Sequence, residues 1–175
     1  MLTFNPDIHH RRSIRLRDYD YSQAGAYFIT LCTFDRGCYF DQFPQLRKII
    51  SDEWNNITER FQDVGLDEYV VMPNHFHGII IRKSGHPQGD APTLGYIVGA
   101  FKSLCVSAWL KVIKTDNINA RGKFWQNNYY EHVIRDEEEL NRIRQYVVDN
   151  PLQWELDREN PTPSTGQKQT EKWMV

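Results

Sequence analysis

The sequence predicts an α+β domain in which an antiparallel sheet carries helices packed on one face. Three observations predict it: apolar segments of strand composition alternate with amphipathic segments of helical period, two neighbouring strands are joined by a tight turn, and no segment repeats. The resulting order is strand, helix, strand, strand, helix, strand, helix, which is typical of a split βαβ arrangement. Such a fold hosts many functions, so function has to be argued from particular residues.

Residues 26–34 and 43–61 predict the first strand and the first helix. The former are dense in aromatic and β-branched side chains, which favours a buried strand. The latter place apolar side chains three and four positions apart, the spacing of an amphipathic helix. Gly65 breaks this pattern and separates the helix from the second strand.

Two strands over 66–72 and 75–82 form a predicted hairpin. Pro73 and Asn74 supply the tight turn that joins them, since both residue types are favoured in turns. This hairpin brings the two strands together as antiparallel neighbours in the sheet.

The second half of the chain predicts a helix, a strand and a helix. Thr93 is the expected N-cap of a helix that ends near Lys114. The aromatic-rich segment 124–134 has strand character. A last helix begins at Asp136, with glutamates in the first turn where the helix dipole favours anions, and it ends at Pro151.

Length and composition predict one folded domain. The chain has 175 residues, of which 40% are hydrophobic and 13% aromatic, enough to bury a core without disulfides. Cys32, Cys38 and Cys105 form no CxxC pair, which is typical of thiols in a reducing compartment. We expect the domain over residues 1–157, including a basic N-terminal arm, and a polar tail over 158–175.

The apolar runs indicate a protein that does not contact a membrane. The longest cover residues 69–72 and 79–81, whereas a membrane helix needs about 18 residues. The N-terminus has no apolar segment followed by a small-residue cleavage site, so it does not resemble a secretory signal. These features predict a cytoplasmic protein.

Two histidines at the start of a hairpin strand are candidate metal ligands. Because side chains alternate along a strand, His75 and His77 point to one face and Phe76 to the other. Gly78 comes next, where a ligand or another backbone segment can approach closely. A rigid pair of imidazoles can hold one divalent metal, but two histidines near a turn also occur without any metal.

The last helix carries a candidate nucleophile and a candidate third ligand. Tyr146 and Asn150 are four residues apart and therefore share a helix face. In one interpretation Tyr146 is a nucleophile and Asn150 binds a metal. In the other, Tyr146 is a half-buried packing residue and Asn150 caps the helix before Pro151. The residues alone favour the second interpretation.

Charge is unevenly distributed although the formal net charge is only −2. Residues 1–17 contain four arginines and one aspartate, and residues 93–125 contain five cations and one aspartate, whereas residues 136–160 are acidic. Basic segments track phosphates and aromatic rings stack on unpaired bases. A uniformly basic coat is excluded, and local DNA contacts are predicted at Arg11, Arg12, Arg15, Arg17, Lys102, Trp125 and Tyr129. An ordinary mobile arm and a solvated helix face are the alternative interpretation of the two basic segments.

The chain resembles the REP-associated tyrosine transposases, within the single-tyrosine HUH transposase superfamily. The resemblance rests on VVMPNHFHGII at 70–80, which contains a His-hydrophobic-His motif, and on WQNNYYEHVIRDEEELNRIRQYVVDNP at 125–151. RRSIRLRDYDYSQAGAYFITLCT, from residue 11, and TLGYIVGAFKS, from residue 93, also match. The resemblance therefore covers roughly residues 11–157.

This resemblance implies a ferredoxin-like fold and an enzyme that cleaves and rejoins single-stranded hairpin DNA through a covalent 5′-phosphotyrosine. It implies that His75, His77 and Asn150 are metal ligands and that Tyr146 is the nucleophile. Mg²⁺ or Mn²⁺ suits such a mixed nitrogen and oxygen site, and Mn²⁺ is the better match for imidazole. Members of the wider superfamily act as dimers, so a homodimer is among the assemblies that the resemblance allows.

Two other functions remain as alternatives. One is a protein that recognises DNA hairpins without catalysis. The other is a metal-dependent phosphoesterase that uses His75 and His77 as acid and base, without a covalent intermediate. Tyr129 and Tyr130 are rival nucleophiles because they lie close to His132 in the sequence. Only the transposase-like enzyme predicts a covalent protein–DNA adduct that requires a tyrosine and a metal.

Overall fold

The structure, a computed structural model, describes residues 20, 23–83, 92–156 and 160–161. The arginines of the predicted basic arm lie outside these residues, and so does the predicted polar tail except for residues 160–161. The predicted domain boundaries therefore stay a prediction.

A four-stranded antiparallel sheet forms the centre of the described chain. Its strands are β1 (Gly25–Cys32), β2 (Val64–Val71), β3 (His75–Arg82) and β4 (Tyr130–Ile134), in the spatial order β2-β3-β1-β4. The two central strands, β1 and β3, pair along their whole length, from Gly25 opposite Arg82 to Cys32 opposite His75. The predicted α+β class and the ferredoxin-like antiparallel sheet are confirmed.

The helices accompany the sheet in the predicted order. The α-helices are α1 (Tyr39–Gln42), α2 (Pro44–Asn55), α3 (Ile57–Arg60), α4 (Leu94–Thr115) and α5 (Glu137–Asp149), and 3-10 helices cover Phe34–Arg36 and Asn150–Leu156. Thr93 accepts a hydrogen bond from the Tyr96 amide at the start of α4, and Asp136 accepts one from the Glu139 amide at the start of α5. Both predicted helix starts are confirmed.

Two predicted elements differ in extent from the observed ones. The single helix expected over 43–61 is divided at Asn56 into α2 and α3. The strand expected over 124–134 is shorter, because Trp125 makes only an isolated bridge to Thr33 and regular pairing begins at Tyr130. Aromatic composition alone thus overestimated the length of the last strand.

Helices cover both faces of the sheet. Tyr27 and Phe76 point to one face, where they join the larger core together with α2 and α4. Phe28 and Ile79 point to the other face and pack against α5. The prediction of helices on one face therefore holds for α2 and α4, whereas α5 lies opposite. The central strands are apolar on both faces, and each face is buried against a helix.

Helix α4 is long and apolar enough to cross a membrane by length and composition, but it packs as a core helix. Ile97, Phe101, Cys105 and Trp109 recur on its buried side. Phe101 packs edge-on against Trp54 of α2 at a ring-centroid distance of 5.5 Å. Packing against α2 and the sheet accounts for this buried side, while 28% of the most apolar 18-residue window of the helix is buried.

Gly78 permits a close approach on the sheet face opposite the histidines. A Cβ at this position would lie 2.6 Å from the Trp54 ring. That ring packs on Phe76 at a centroid distance of 4.7 Å. The close approach predicted at Gly78 is thus made by a core tryptophan rather than by a ligand.

Candidate metal and tyrosine site

His75 and His77 lie side by side at the start of β3, on the face covered by α5. Their ring centroids are 4.5 Å apart, and the two residues are 0% and 2% exposed. Because β3 is hydrogen-bonded to a strand on each side, the backbone that carries them is rigid. Alternation along one strand thus brings the two imidazoles together, as the sequence indicates.

Asn74 fixes which nitrogen of His75 can bind a ligand. Asn74 Nδ2 donates to the backbone carbonyl of Arg36 at 3.0 Å, so Oδ1 is the amide atom that lies 2.9 Å from His75 Nδ1. An amide oxygen can only accept, which requires His75 Nδ1 to carry the proton. The lone pair is then on His75 Nε2, the form of imidazole that binds a metal.

His77 is held by Thr30 and meets Tyr146. Thr30 Oγ1 lies 2.8 Å from His77 Nδ1, and the His77 ring stacks on Phe28 at 5.1 Å between centroids. On the other side of the imidazole, the Tyr146 hydroxyl oxygen lies 3.4 Å from His77 Nε2. The candidate nucleophile is therefore next to the nitrogen that would hold a metal.

Asn150 lies between two residues that contact the histidines. It comes four residues after Tyr146 and four before Trp154, and the Trp154 ring centroid is 5.9 Å from that of His75. Asn150 is 3% exposed, and its buried Oδ1 accepts no hydrogen bond from the described part of the chain. Its backbone amide also caps α5 by donating to Tyr146. The capping role and a ligand role are therefore compatible.

The donor set suits a divalent cation. Within the described ranges no three His, Cys, Asp or Glu side chains form a cluster that could hold a metal, so a third protein ligand here would have to be of another type. The buried amide oxygen of Asn150 is such a donor, and an unsatisfied buried carbonyl is costly unless a donor or cation meets it. Two imidazoles and one amide oxygen would leave coordination positions open for a phosphate.

An ion pair fastens α5 to the edge of the sheet. Arg144 donates through Nε and Nη2 to the two carboxylate oxygens of Asp67, at 2.8 and 2.7 Å. These hydrogen bonds hold the pKa of Asp67 below its ordinary value, although burial opposes them. Asp67 lies where the pairing of β2 with β3 is irregular, between Leu66 and Tyr69. Since Arg144 is two residues from the candidate nucleophile, this ion pair helps to set where the phenol lies.

The rival tyrosines have different surroundings. Tyr129 packs against the larger core, on the face away from the histidines. Tyr130 joins the smaller core, but it pairs with Thr30, which in turn pairs with His77. With neighbouring strands about 4.8 Å apart, Tyr130 and His77 are attached to backbones about 10 Å apart. The geometry therefore favours Tyr146 as the nucleophile.

The predicted DNA contacts fall into three groups. Arg11, Arg12, Arg15 and Arg17 lie outside the described residues. Trp125 is 3% exposed and packs on Phe40 and Phe124 at centroid distances of 5.4 and 4.8 Å. Trp125 thus packs in the core, and its base-stacking role stays a prediction. Tyr129 is only partly buried but packs on the same core.

Lys102 uses its ammonium group within the protein. Its Nζ donates to the backbone carbonyls of Gln126 and Asn127, at 2.6 and 3.0 Å. Burial, followed by the charge of Lys123, lowers the pKa of Lys102 to about 8. Lys102 therefore holds the loop before β4, and a direct phosphate contact would require it to give up these bonds.

Sequence reasoning missed the residues that orient the histidines. Thr30 is a polar residue inside an otherwise apolar strand, and such a residue signals a buried partner. Asn74 directly precedes the histidine motif, but its role in the turn concealed its role beside His75. Trp154 carries no sequence signal that would assign it to the site.

Comparisons with known proteins agree with this architecture. An uncharacterised protein of Haemophilus influenzae is 39% identical, over 89% of this chain and 96% of the relative. A proposed REP-associated tyrosine transposase of Haemophilus influenzae is 22% identical, over 76% of this chain and 73% of the relative. The solved structure of a REP-associated tyrosine transposase bound to a REP hairpin matches with a TM-score of 0.55 and 18% identity, covering 91% of this chain and 95% of that one. The chain therefore shares its fold with a REP-associated tyrosine transposase and is similar in sequence to a protein described as one.

The family resemblance and the site involve the same segments. Residues 70–80 supply both histidines, and residues 125–151 supply Tyr146 and Asn150. The fold brings these two segments, which are distant in the sequence, to one face of the sheet. No protein-family model matches the chain.

Proposed function

We propose that this protein cleaves and rejoins single-stranded hairpin DNA through a covalent 5′-phosphotyrosine at Tyr146, in the presence of Mg²⁺ or Mn²⁺. The observation that carries the proposal is the 3.4 Å approach of the Tyr146 hydroxyl to His77 Nε2. A structural relative was solved with a REP hairpin bound, which supports hairpin DNA as the class of substrate.

His75, His77 and Asn150 would hold the metal in this proposal. The buried Asn150 Oδ1 and the orientation of His75 by Asn74 support this ligand set. A divalent cation bound there would polarise the scissile phosphate and neutralise the charge that develops on its oxygens. A free phenol has a pKa near 10 and attacks poorly at neutral pH, so such activation of the phosphate is what Tyr146 needs.

The reaction exchanges one phosphate ester for another. The Tyr146 oxygen attacks the scissile phosphorus and forms a new O–P bond, while the bond from phosphorus to the 3′ oxygen breaks. The phenol proton is lost to water and the leaving 3′ oxygen takes up a proton. The reverse attack by a 3′-hydroxyl group on the phosphotyrosine rejoins a strand, so no nucleoside triphosphate is consumed.

Further parts of the proposal concern binding and location. The basic arm with Arg11, Arg12, Arg15 and Arg17 would contact DNA phosphates, because clustered cations bind nucleic acid by displacing its counterions. The protein would act in the cytoplasm, and a homodimer is the assembly to examine first.

The decisive experiment compares three tyrosines. Tyr146→Phe removes one oxygen and keeps the ring, so folding and hairpin binding should persist. Tyr129→Phe and Tyr130→Phe are matched controls that make the same change. Each variant is incubated with labelled single-stranded hairpins and Mn²⁺, and covalent adducts are separated by denaturing electrophoresis.

The expected result is an adduct in the wild-type protein and in both controls, and none in Tyr146→Phe. A surviving adduct in Tyr146→Phe contradicts the assignment, and its loss in one control identifies the true nucleophile. Strand cleavage without an adduct in the wild-type protein would favour the phosphoesterase. Hairpin binding without cleavage would favour the non-catalytic function.

A further inference from the structure

A basic cleft of about 630 Å³ lies beyond the end of β1. One wall is the 3-10 turn with Phe34, Asp35 and Arg36, and the other is the segment that carries Arg121 and Lys123. Trp125 and the amide-bearing residues 126–128 complete the lining. Three cations and one carboxylate thus line a volume typical of sites for small ligands.

Backbone hydrogen bonds hold the two walls together. The Phe34 amide donates to the carbonyl of Phe124, and the Gln126 amide donates to the carbonyl of Cys32 at 2.9 Å. The indole of Trp109 donates to the carbonyl of Arg121 at 3.0 Å. The cleft is therefore formed by the fold itself and does not depend on a ligand to assemble it.

Two cations of the cleft, Arg121 and Lys123, are not neutralised, and contacts hold the Arg121 guanidinium in place. The Arg121 guanidinium lies over the Phe34 ring, 3.6 Å from its centroid, and its Nε donates to the carbonyl of Lys123 at 2.8 Å. Neither of the two forms a salt bridge with any residue that the structure describes. The charge of Lys123 also contributes to lowering the pKa of Lys102, as expected where positive charge is in excess.

The side chain of Asn74 connects the cleft to the histidine pair through hydrogen bonds. Asn74 donates through Nδ2 to the carbonyl of Arg36 in the cleft wall and accepts from His75 through Oδ1. Thr33 Oγ1 donates to the carbonyl of Asn74, at 2.8 Å, from the start of the same wall. A ligand in the cleft therefore lies at the end of the sheet where β1 ends and β3 begins. This position is next to the site proposed for strand cleavage.

We propose that this cleft binds the sugar–phosphate backbone of unpaired DNA adjacent to the scissile phosphate. The inference rests on the proposed function for its substrate class and adds a binding site to it. Arg36, Arg121 and Lys123 contact phosphates, since guanidinium and ammonium groups are the main phosphate partners in proteins. The amide side chains of residues 126–128 are placed to hydrogen-bond exposed base edges, which only an unpaired strand presents fully.

The test measures how DNA binding depends on salt. The probe is a fluorescein-labelled single strand of DNA without self-complementarity, measured by fluorescence anisotropy in EDTA so that no cleavage occurs. The cleft variant combines Arg36→Gln, Arg121→Gln and Lys123→Gln. The matched control combines Lys48→Gln, Arg60→Gln and Lys83→Gln, which removes three exposed cations elsewhere. Circular dichroism confirms that both variants fold.

Each phosphate contact contributes about 0.7 to the slope of log affinity against log salt for a single strand. The cleft variant should therefore lose about 2 from this slope, whereas the control keeps the wild-type slope. Equal slopes in the two variants overturn the proposal. Equal losses of affinity for the single strand and for a matched duplex overturn the assignment to unpaired DNA. If the triple variant does not fold, Lys123→Gln alone should lose about 0.7.

The outcome is separable from that of the tyrosine experiment. A wild-type adduct at Tyr146 together with equal salt slopes refutes the cleft and leaves the cleavage chemistry standing. A slope loss in the cleft variant without any wild-type adduct refutes the cleavage chemistry and leaves the cleft as a DNA-binding site.

Discussion

Replacing Asn74 by Leu and by Asp separates two hydrogen bonds of its side chain, to Arg36 and to His75. Asn74→Leu removes both bonds, whereas Asn74→Asp loses the Nδ2 donor to Arg36 but keeps an oxygen to accept from His75 Nδ1. Both variants therefore lose the same bond to the turn at residues 34–36. They differ in whether the His75 proton has an acceptor.

The magnitude is set by the tautomers of His75. With Mn²⁺ on Nε2, the proton must stay on Nδ1, and in Asn74→Leu it would be buried without an acceptor at a cost of about 1–3 kcal/mol. The metal-free imidazole can place its proton on either nitrogen, whereas a metal on Nε2 leaves it only Nδ1. The part of the penalty that is specific to the metal-bound state predicts weaker Mn²⁺ binding, by up to about 10- to 100-fold.

Isothermal titration with Mn²⁺ measures this difference directly. We expect Asn74→Asp to bind Mn²⁺ at least as tightly as the wild-type protein, because a carboxylate is a stronger acceptor for the imidazole proton. Thermal unfolding without metal checks that the two variants are equally folded. Equal Mn²⁺ affinities for Asn74→Leu and Asn74→Asp would refute the role of Asn74 and the use of His75 Nε2 as a ligand.

Three other predictions concern stability and DNA binding. Gly78→Ala should lower the free energy of unfolding by about 1–3 kcal/mol, because its Cβ would collide with the Trp54 ring, and chemical denaturation measures this. Asp67→Asn should destabilise the protein at neutral pH, where the Arg144 ion pair is intact. The pKa of Asp67 is lowered in the folded protein, so the difference in free energy of unfolding between the variant and the wild-type protein should shrink as the pH falls below about 4. A difference that stays the same at acid pH would contradict the role of this ion pair. Replacing the four arginines of residues 11–17 by alanine should reduce the salt slope of single-strand binding by up to about 3, and an unchanged slope would place the arm off the DNA.

Local patterns predicted the elements that carry the site. Strand alternation is a property of the backbone itself, so the shared face of His75 and His77 can be read from their spacing. The starts of α4 and α5 can be read from Thr93 and Asp136, since a capping side chain bonds to an amide only three residues away. Interactions between residues two or three positions apart can be inferred from the identities of those residues.

Contacts between residues that are far apart in the sequence could not be predicted in the same way. The apolar stripe of α5 shows which side of the helix is buried, but a sheet that is apolar on both faces offers two surfaces to bury it. The aromatic character of Trp125 is equally suited to a core and to base stacking, and its packing on Phe40 could not be inferred from the sequence. The hydrogen bond from Asn74 to Arg36 joins residues 38 positions apart, so no periodic pattern in the sequence indicates it.

The two halves of the proposed active site emerge from the ribosome at different times. The histidine hairpin and the helices of the larger core precede α5, which begins only at Glu137. Folding during synthesis proceeds from the N-terminus, so the sheet and its imidazoles can assemble before any nucleophile reaches them. In the proposed reaction the nucleophile is therefore added last, and a frameshift directly after residue 136 would remove Tyr146 while sparing the sequence of the larger core.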